Sequence, residues 1–384
     1  MSDQASQTEK AIDVSFGEHD VRFAITKSPR RTVFVVEASL QARVATQIGK
    51  WQLEKQAAVL AFEQLPAAPE DTVDYIVFSD SNEESLLQSL RSAWPQAAVF
   101  GFWNDFYPRA ACFNWGRQRK FDGPIEVMYA VVSTPRSGST FLAELLTANQ
   151  LGAPKEHVRN PLSFLAAGVG GRDRLARFVD TIAQLTARNG VAGTKIIWHL
   201  AERLRGSPSL AGAAEVIGRA TNKRIVLLYR RDKVAQAISN YKAQLTNAYH
   251  IRSSTELSKY KEKQIPYSFE ELMKHHAAML DGERRLLKDL TQIKSAWPGS
   301  RVEIMTVIYE ELENDIRGQL AAIVKFITGK SPELSLEARV QKLADEYTEE
   351  FSRRFREDYR AKFGHSADDA STVIERAAFE LSAS

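Results

Sequence analysis

The stretch Val127-Met-Tyr-Ala-Val-Val-Ser-Thr-Pro-Arg-Ser-Gly-Ser-Thr-Phe-Leu142 constrains this chain more than any other. Val127 to Val132 is a short apolar run rich in β-branched residues, which predicts a fully buried strand. Ser133 to Ser139 is a polar turn with Pro135 and Gly138 as its turn-formers. Phe141, Leu142, Leu145 and Leu146 then recur at helical spacing, with Ser139 and Thr140 at the expected helix start. A strand that runs through a tight loop into a helix aims free backbone N–H groups and the positive end of the helix dipole at one place. Arg136 adds a permanent charge whose forked donors suit phosphate or sulfate, and Ser137, Ser139 and Thr140 add hydroxyls. An anion site is the expectation. A Walker A loop carries Gly-x4-Gly-Lys-Ser/Thr, with its lysine on the outer phosphates. This loop has no lysine and a single glycine, so a nucleoside triphosphate with magnesium fits it poorly.

A second motif follows at a distance. Arg224-Ile-Val-Leu-Leu-Tyr229 reads as a buried strand ending in Arg230, and the next helix brings Ser239 back on one face. Read without context, Arg230 is the ion-pair partner of Asp232 or of another carboxylate nearby. Between the two motifs, the turn-rich Gly152 to Pro161 carries Glu156 and His157, both candidate general bases because loops at the C-terminal edge of a parallel sheet carry chemistry. Gly193 to Trp198 reads as another buried strand, bringing Lys195 and Trp198 to the same edge.

Pro135-Arg136-Ser137-Gly138-Ser139-Thr140-Phe141 resembles the 5′-phosphosulfate loop of sulfotransferases that use PAPS (3′-phosphoadenosine-5′-phosphosulfate). Arg230 and Ser239 stand where those enzymes grip the 3′-phosphate, at a spacing similar to bacterial Stf0-type sulfotransferases, the trehalose, lipopolysaccharide and Nod-factor group. The resemblance runs over about residues 126–360 and includes Tyr309-Glu-Glu-Leu312 and the arginines of Arg353-Arg-Phe-Arg356. It implies an α/β fold, a P-loop-like parallel sheet flanked by helices, with Glu156 as the base and Arg136 as a catalytic cation. PAPS is the implied co-substrate, 3′,5′-ADP the product and a carbohydrate or glycolipid hydroxyl the acceptor, with no metal. Ala153 stands where the trehalose enzyme has a glutamate on its sugar, and Glu346 and Tyr347 lie where it has an arginine, which argues against trehalose itself. A P-loop-type kinase and a non-catalytic nucleotide-binding protein stay open as alternatives.

The remainder bounds the protein class. A chain of 384 residues is long enough for two domains. A net charge of +3 gives no reason to expect nucleic acid. Cys112 is the single cysteine, so a reducing compartment is expected. The first residues lack the apolar core of a signal peptide, and no apolar run is long enough to span a bilayer, so the expectation is a cytoplasmic protein. A homodimer stays open. Residues 1–122 read as a small α/β domain of unknown role: strands at Thr32–Val36, Val73–Phe78 and Ala98–Phe102, helices at Leu40–Leu65 and Glu83–Trp94. Asp80 is expected to cap the second helix, rather than hold magnesium as a Walker B residue would. The aromatic and basic run from Phe102 to Gly123 reads as a packed connector, with an acceptor-lining role as the alternative. The catalytic domain is expected over 123–365, with its last strand at Arg301–Ile308, and 366–384 as a tail.

Overall fold

The computed structural model describes residues 16–79, 82–107, 109–110, 121–156, 180, 182–198, 223–246, 265–296, 302–331, 333–336 and 346–383. The chain divides into two compact units. One comprises Met1–Pro124, His157–Thr186 and Arg203–Arg219, and the other Ile125–Glu156, Ala187–Glu202 and Ala220–Ser384.

The first unit holds helices α1 (Phe16–Lys27), α2 (Ala38–Lys50) and α3 (Glu83–Ala93), and strands β1 (Arg31–Val36), β2 (Ala57–Ala61), β3 (Val73–Phe78) and β4 (Ala98–Gly101). The strands form one parallel sheet in the order β2-β1-β3-β4. The helix expected over Leu40–Leu65 is therefore two elements. α2 stops at Lys50, Gln52 turns the chain at φ 59°, and Ala57–Ala61 pairs in parallel with β1. Ala-Ala-Val-Leu-Ala is too short and uniform to show a period of its own, so it read as a continuation of the helix. Ser79 Oγ accepts from the Asn82 N–H at 2.8 Å ahead of α3, while Asp80 lies outside the described residues. Phe102, Trp103 and Tyr107 are buried, and their rings pack on one another, with Phe102 and Trp103 also against Phe78. This part of the aromatic run is core; residues 111–120 lie outside the description.

The second unit is built on β5 (Val127–Ser133), β6 (Val191–Ile197), β7 (Lys223–Tyr229) and β8 (Val302–Ile308), all parallel in the order β6-β5-β7-β8. Its helices are α4 (Ser139–Ala148), α5 (Lys233–Thr246), α6 (Phe269–Ala296), α7 (Tyr309–Asn314), α8 (Ile316–Thr328), α9 (Glu346–Phe363) and α10 (Asp369–Ala383). Burial on both faces explains why β5 and β7 are unbroken apolar runs. Tyr129 and Val131 of β5, Val226 and Leu228 of β7, Leu142, Leu145 and Leu146 of α4, and Leu320, Ile323, Val324 and Ile327 of α8 make one core. The stretch read as a tail contributes α10, where Ala378 is buried and the Ser371 carbonyl accepts from Tyr229 Oη at 3.0 Å. From β5 the chain moves out to β6 and then crosses back over to β7. The loops after β5 and β7 thus diverge at the carboxyl edge, the place where open α/β sheets hold ligands.

Candidate active site

Thr134 to Gly138 leave β5 in a turn that requires one glycine. Gly138, at φ 84°, is the residue before α4, and a Cβ there would lie 2.2 Å from the Tyr309 ring. Arg136 also adopts a left-handed conformation, φ 62°. These two residues turn the loop so that the first N–H groups of α4 open outward at the carboxyl edge. Ser139 and Thr140 are the first residues of α4, and Phe141 packs against the core behind it.

The loop's cation meets the second motif directly. Arg136 Nε donates to Ser239 Oγ of α5 at 3.0 Å, and Arg230 Nη1 donates to the Arg136 carbonyl at 3.0 Å. Arg230 lies over the Tyr309 ring at 5.2 Å, and its Nε has no hydrogen-bond partner among the described residues. The ion pair with Asp232, considered from sequence, does not form. Asp232 Oδ1 instead accepts the Ala235 N–H at 2.8 Å at the start of α5 and pairs with Arg356 at 2.9 Å. Arg231 points elsewhere, to Glu311 at 2.8 Å and Glu375 at 2.7 Å. The structure thus brings Arg136, Arg230, Ser239 and Tyr309 into one cluster.

On the other side of β5, Lys195 pairs in register with Val131 and so shares the α4 face. Its Nζ donates to Thr140 Oγ1 at 2.9 Å and forms an ion pair with Glu156 at 3.0 Å. Glu156 arrives there because the Lys195 N–H donates to the Lys155 carbonyl at 2.9 Å, laying this segment alongside β6. The turn before it needs Gly152, at φ 79°, where a Cβ would meet the backbone of Val191 and Gly193 at 3.0 Å. Lys195 therefore links the helix start to Glu156, and both are largely buried, with side chains 6% and 15% exposed. His157, the other base candidate, lies outside the described residues.

Ser137 faces the underside of the loop. It is fully buried, its hydroxyl donates to the Thr134 carbonyl at 2.9 Å, and it accepts from Gln236 Nε2 at 3.0 Å. Beneath the loop lies a network that sequence reading missed: Lys233 and Gln236 of α5 and Glu283 of α6, all buried, joined to Thr134 and Ser137. Burial lowers the Lys233 pKa against the opposing pull of Glu283. Of the C-terminal arginines, Arg353 pairs on the surface with Glu350 and Glu357, and Arg354 stacks on Tyr267 at 3.9 Å.

Cations and N–H donors converge at the edge between β5 and β7, and a carboxylate stands beside the helix start. Among the described residues no helix is long and apolar enough to cross a membrane. Against known families, the model of the Stf0 sulphotransferase family matches residues 128–358. No curated protein matches the chain. Among solved structures it is similar to the sulfotransferase domain from the Synechococcus PCC 7002 olefin synthase, at 16% identity and TM-score 0.35, over 69% of this chain and 96% of that one.

Proposed function

This chain belongs to the Stf0 sulphotransferase family, and from that premise we propose that it moves the sulfuryl group of PAPS to a hydroxyl of a carbohydrate or glycolipid. The observation that carries the donor reading is the joining of Arg136, Arg230 and Ser239 by direct hydrogen bonds at the switch point of the sheet. These groups, with the α4 N–H donors, suit a ligand carrying phosphates at both ends of a ribose. Among the described residues Arg230 Nε has no hydrogen-bond partner, and its guanidinium stands beside Arg136, which reaches Ser239, so this cluster suits the 3′-phosphate. The N–H groups at Ser139 and Thr140 suit the 5′-phosphosulfate. A Walker-type lysine is missing from the loop, whose cation is Arg136.

Sulfuryl transfer forms a bond from the acceptor oxygen to sulfur and breaks the bond from sulfur to the bridging oxygen of the leaving 3′,5′-ADP. Negative charge develops on that bridging oxygen, and the acceptor's proton must leave. Preorganised donors at the start of α4 and the neighbouring cations stabilise the developing charge. Glu156 takes the proton, held in place by Lys195, which also grips Thr140 and so ties the base to the anion loop. The test is incubation of the protein and sulfur-35-labelled PAPS with carbohydrate and glycolipid acceptors under EDTA. Label is expected in an organic sulfate ester. Absence of labelled product, together with transfer of the γ-phosphoryl group from magnesium-ATP, would overturn the proposal.

A further inference from the structure

We infer that Lys233 and Glu283 are positioning residues whose buried ion pair, acting through Gln236, sets the shape of the anion loop. The loop is taken as the donor-binding loop proposed above. Lys233 Nζ has three protons and three partners: Glu283 Oε2 at 2.9 Å, Gln236 Oε1 at 3.1 Å, and the face of the Tyr229 ring at 3.9 Å. An ammonium can only donate, so it fixes the Gln236 amide with its oxygen toward Lys233. The amide nitrogen must then face the loop. There its two protons are shared among three acceptors, the Pro135 carbonyl at 2.6 Å, Thr134 Oγ1 at 2.9 Å and Ser137 Oγ at 3.0 Å. Thr134 Oγ1 gives its own proton to Glu283 Oε2 at 2.7 Å, and Ser137 Oγ gives its proton to the Thr134 carbonyl at 2.9 Å. Every hydroxyl proton on the underside of the loop is thereby assigned a direction, starting from one charge. The result fixes Thr134 to Ser137, hence the left-handed turn at Arg136 and Gly138 that opens the α4 N–H groups outward.

Stability alone is a poor reason for this arrangement. Lys233 and Glu283 are both fully buried, and Glu283 Oε1 has no hydrogen-bond partner among the described residues. Replacing such a pair by apolar side chains of similar volume is often neutral or stabilising, whereas removing one partner strands a buried charge. That asymmetry separates a structural role from a positioning one.

The experiment compares Lys233→Met with the double variant Lys233→Met/Glu283→Leu in the full chain. It measures melting temperature, amide hydrogen exchange at residues 134–139, and 3′,5′-ADP affinity. The single variant is expected to melt early. The double variant is expected to regain the wild-type melting temperature while its loop amides exchange at least tenfold faster and 3′,5′-ADP binds at least tenfold more weakly. Wild-type loop exchange in the refolded double variant would overturn the inference. If the wild-type protein binds no 3′,5′-ADP, the donor reading fails while the exchange comparison still decides the role of the pair.

Discussion

Gly138 gives a prediction whose size can be worked out from the structure, with a second glycine as its control. At φ 84° an alanine would hold a left-handed backbone, which costs roughly 1–2 kcal/mol. Its Cβ would also stand 2.2 Å from the Tyr309 ring, so the ring or the loop must shift. Overpacking of this kind costs about 1–3 kcal/mol. Gly329, after α8, has nearly the same backbone at φ 74°, yet nothing lies within 4 Å of a Cβ built there. Gly329→Ala therefore isolates the backbone cost, and Gly138→Ala adds the collision. Equilibrium urea unfolding is expected to show a loss of about 1–2 kcal/mol for Gly329→Ala and roughly 2–5 kcal/mol for Gly138→Ala. Because Tyr309 underlies Arg230, the displaced ring is also expected to weaken 3′,5′-ADP binding in Gly138→Ala and to leave it unchanged in Gly329→Ala. Equal losses in the two variants, with binding intact in both, would refute the steric argument.

Three further outcomes follow from the site and its surroundings. Arg230→Ala removes charge-assisted hydrogen bonds worth about 1.5–3 kcal/mol, so PAPS affinity measured by calorimetry should fall roughly 10- to 150-fold. Ser239→Ala should cost less, and adenosine 5′-phosphosulfate, which lacks the 3′-phosphate, should respond little to either change. Glu156→Gln keeps the shape and the hydrogen bond to Lys195 but not the basicity. Turnover should drop roughly 100- to 10,000-fold with PAPS affinity nearly unchanged, as separate kcat and binding measurements would show. Burial among Phe355 and Tyr359 pushes the His276 pKa down to about 4, the nearest charges being Asp368, Arg356, Asp232 and Lys233. The unfolded chain, with a histidine near 6.5, binds more protons between about pH 6.5 and 4, so stability is lost as pH falls through that window, by about 3 kcal/mol in all. His276→Leu should flatten that part of the stability–pH curve, which urea unfolding at several pH values would record.

The strands that carry the site were legible because a parallel strand buried on both faces is an unbroken apolar run. Val127–Val132 and Ile225–Tyr229 have no competing helical period. The turn at Gly138 and the cation at Arg230 were legible for a related reason: each sits where such a run stops. β2 was hidden because Ala-Ala-Val-Leu-Ala, five apolar residues in a row, shows no period of its own that would separate it from the helix before it. Side-chain direction was the part sequence could not supply. Ser137 stands in a run of hydroxyls that reads as ligand-facing, but its side chain is buried and bonded to Thr134 and Gln236. Likewise, Arg136 reaches across to Ser239, a contact that depends on how α5 packs beside the loop. The Lys233–Glu283 pair joins residues far apart in the chain, so no local sequence pattern links them. The one available hint was that Lys233 and Gln236 share a helix face with buried Val234 and Ala237 nearby.

We propose above all that the loops after β5 and β7 together form a site for a 3′,5′-bisphosphate nucleotide held by protein cations and N–H groups. Titration calorimetry of the wild-type chain with 3′,5′-ADP in EDTA, beside ATP with magnesium, tests it without knowledge of the acceptor. The predicted result is saturable binding of 3′,5′-ADP under chelation and much weaker binding of magnesium-ATP, with Arg230→Ala removing the difference. Equal or tighter binding of magnesium-ATP, indifferent to Arg230→Ala, would contradict it.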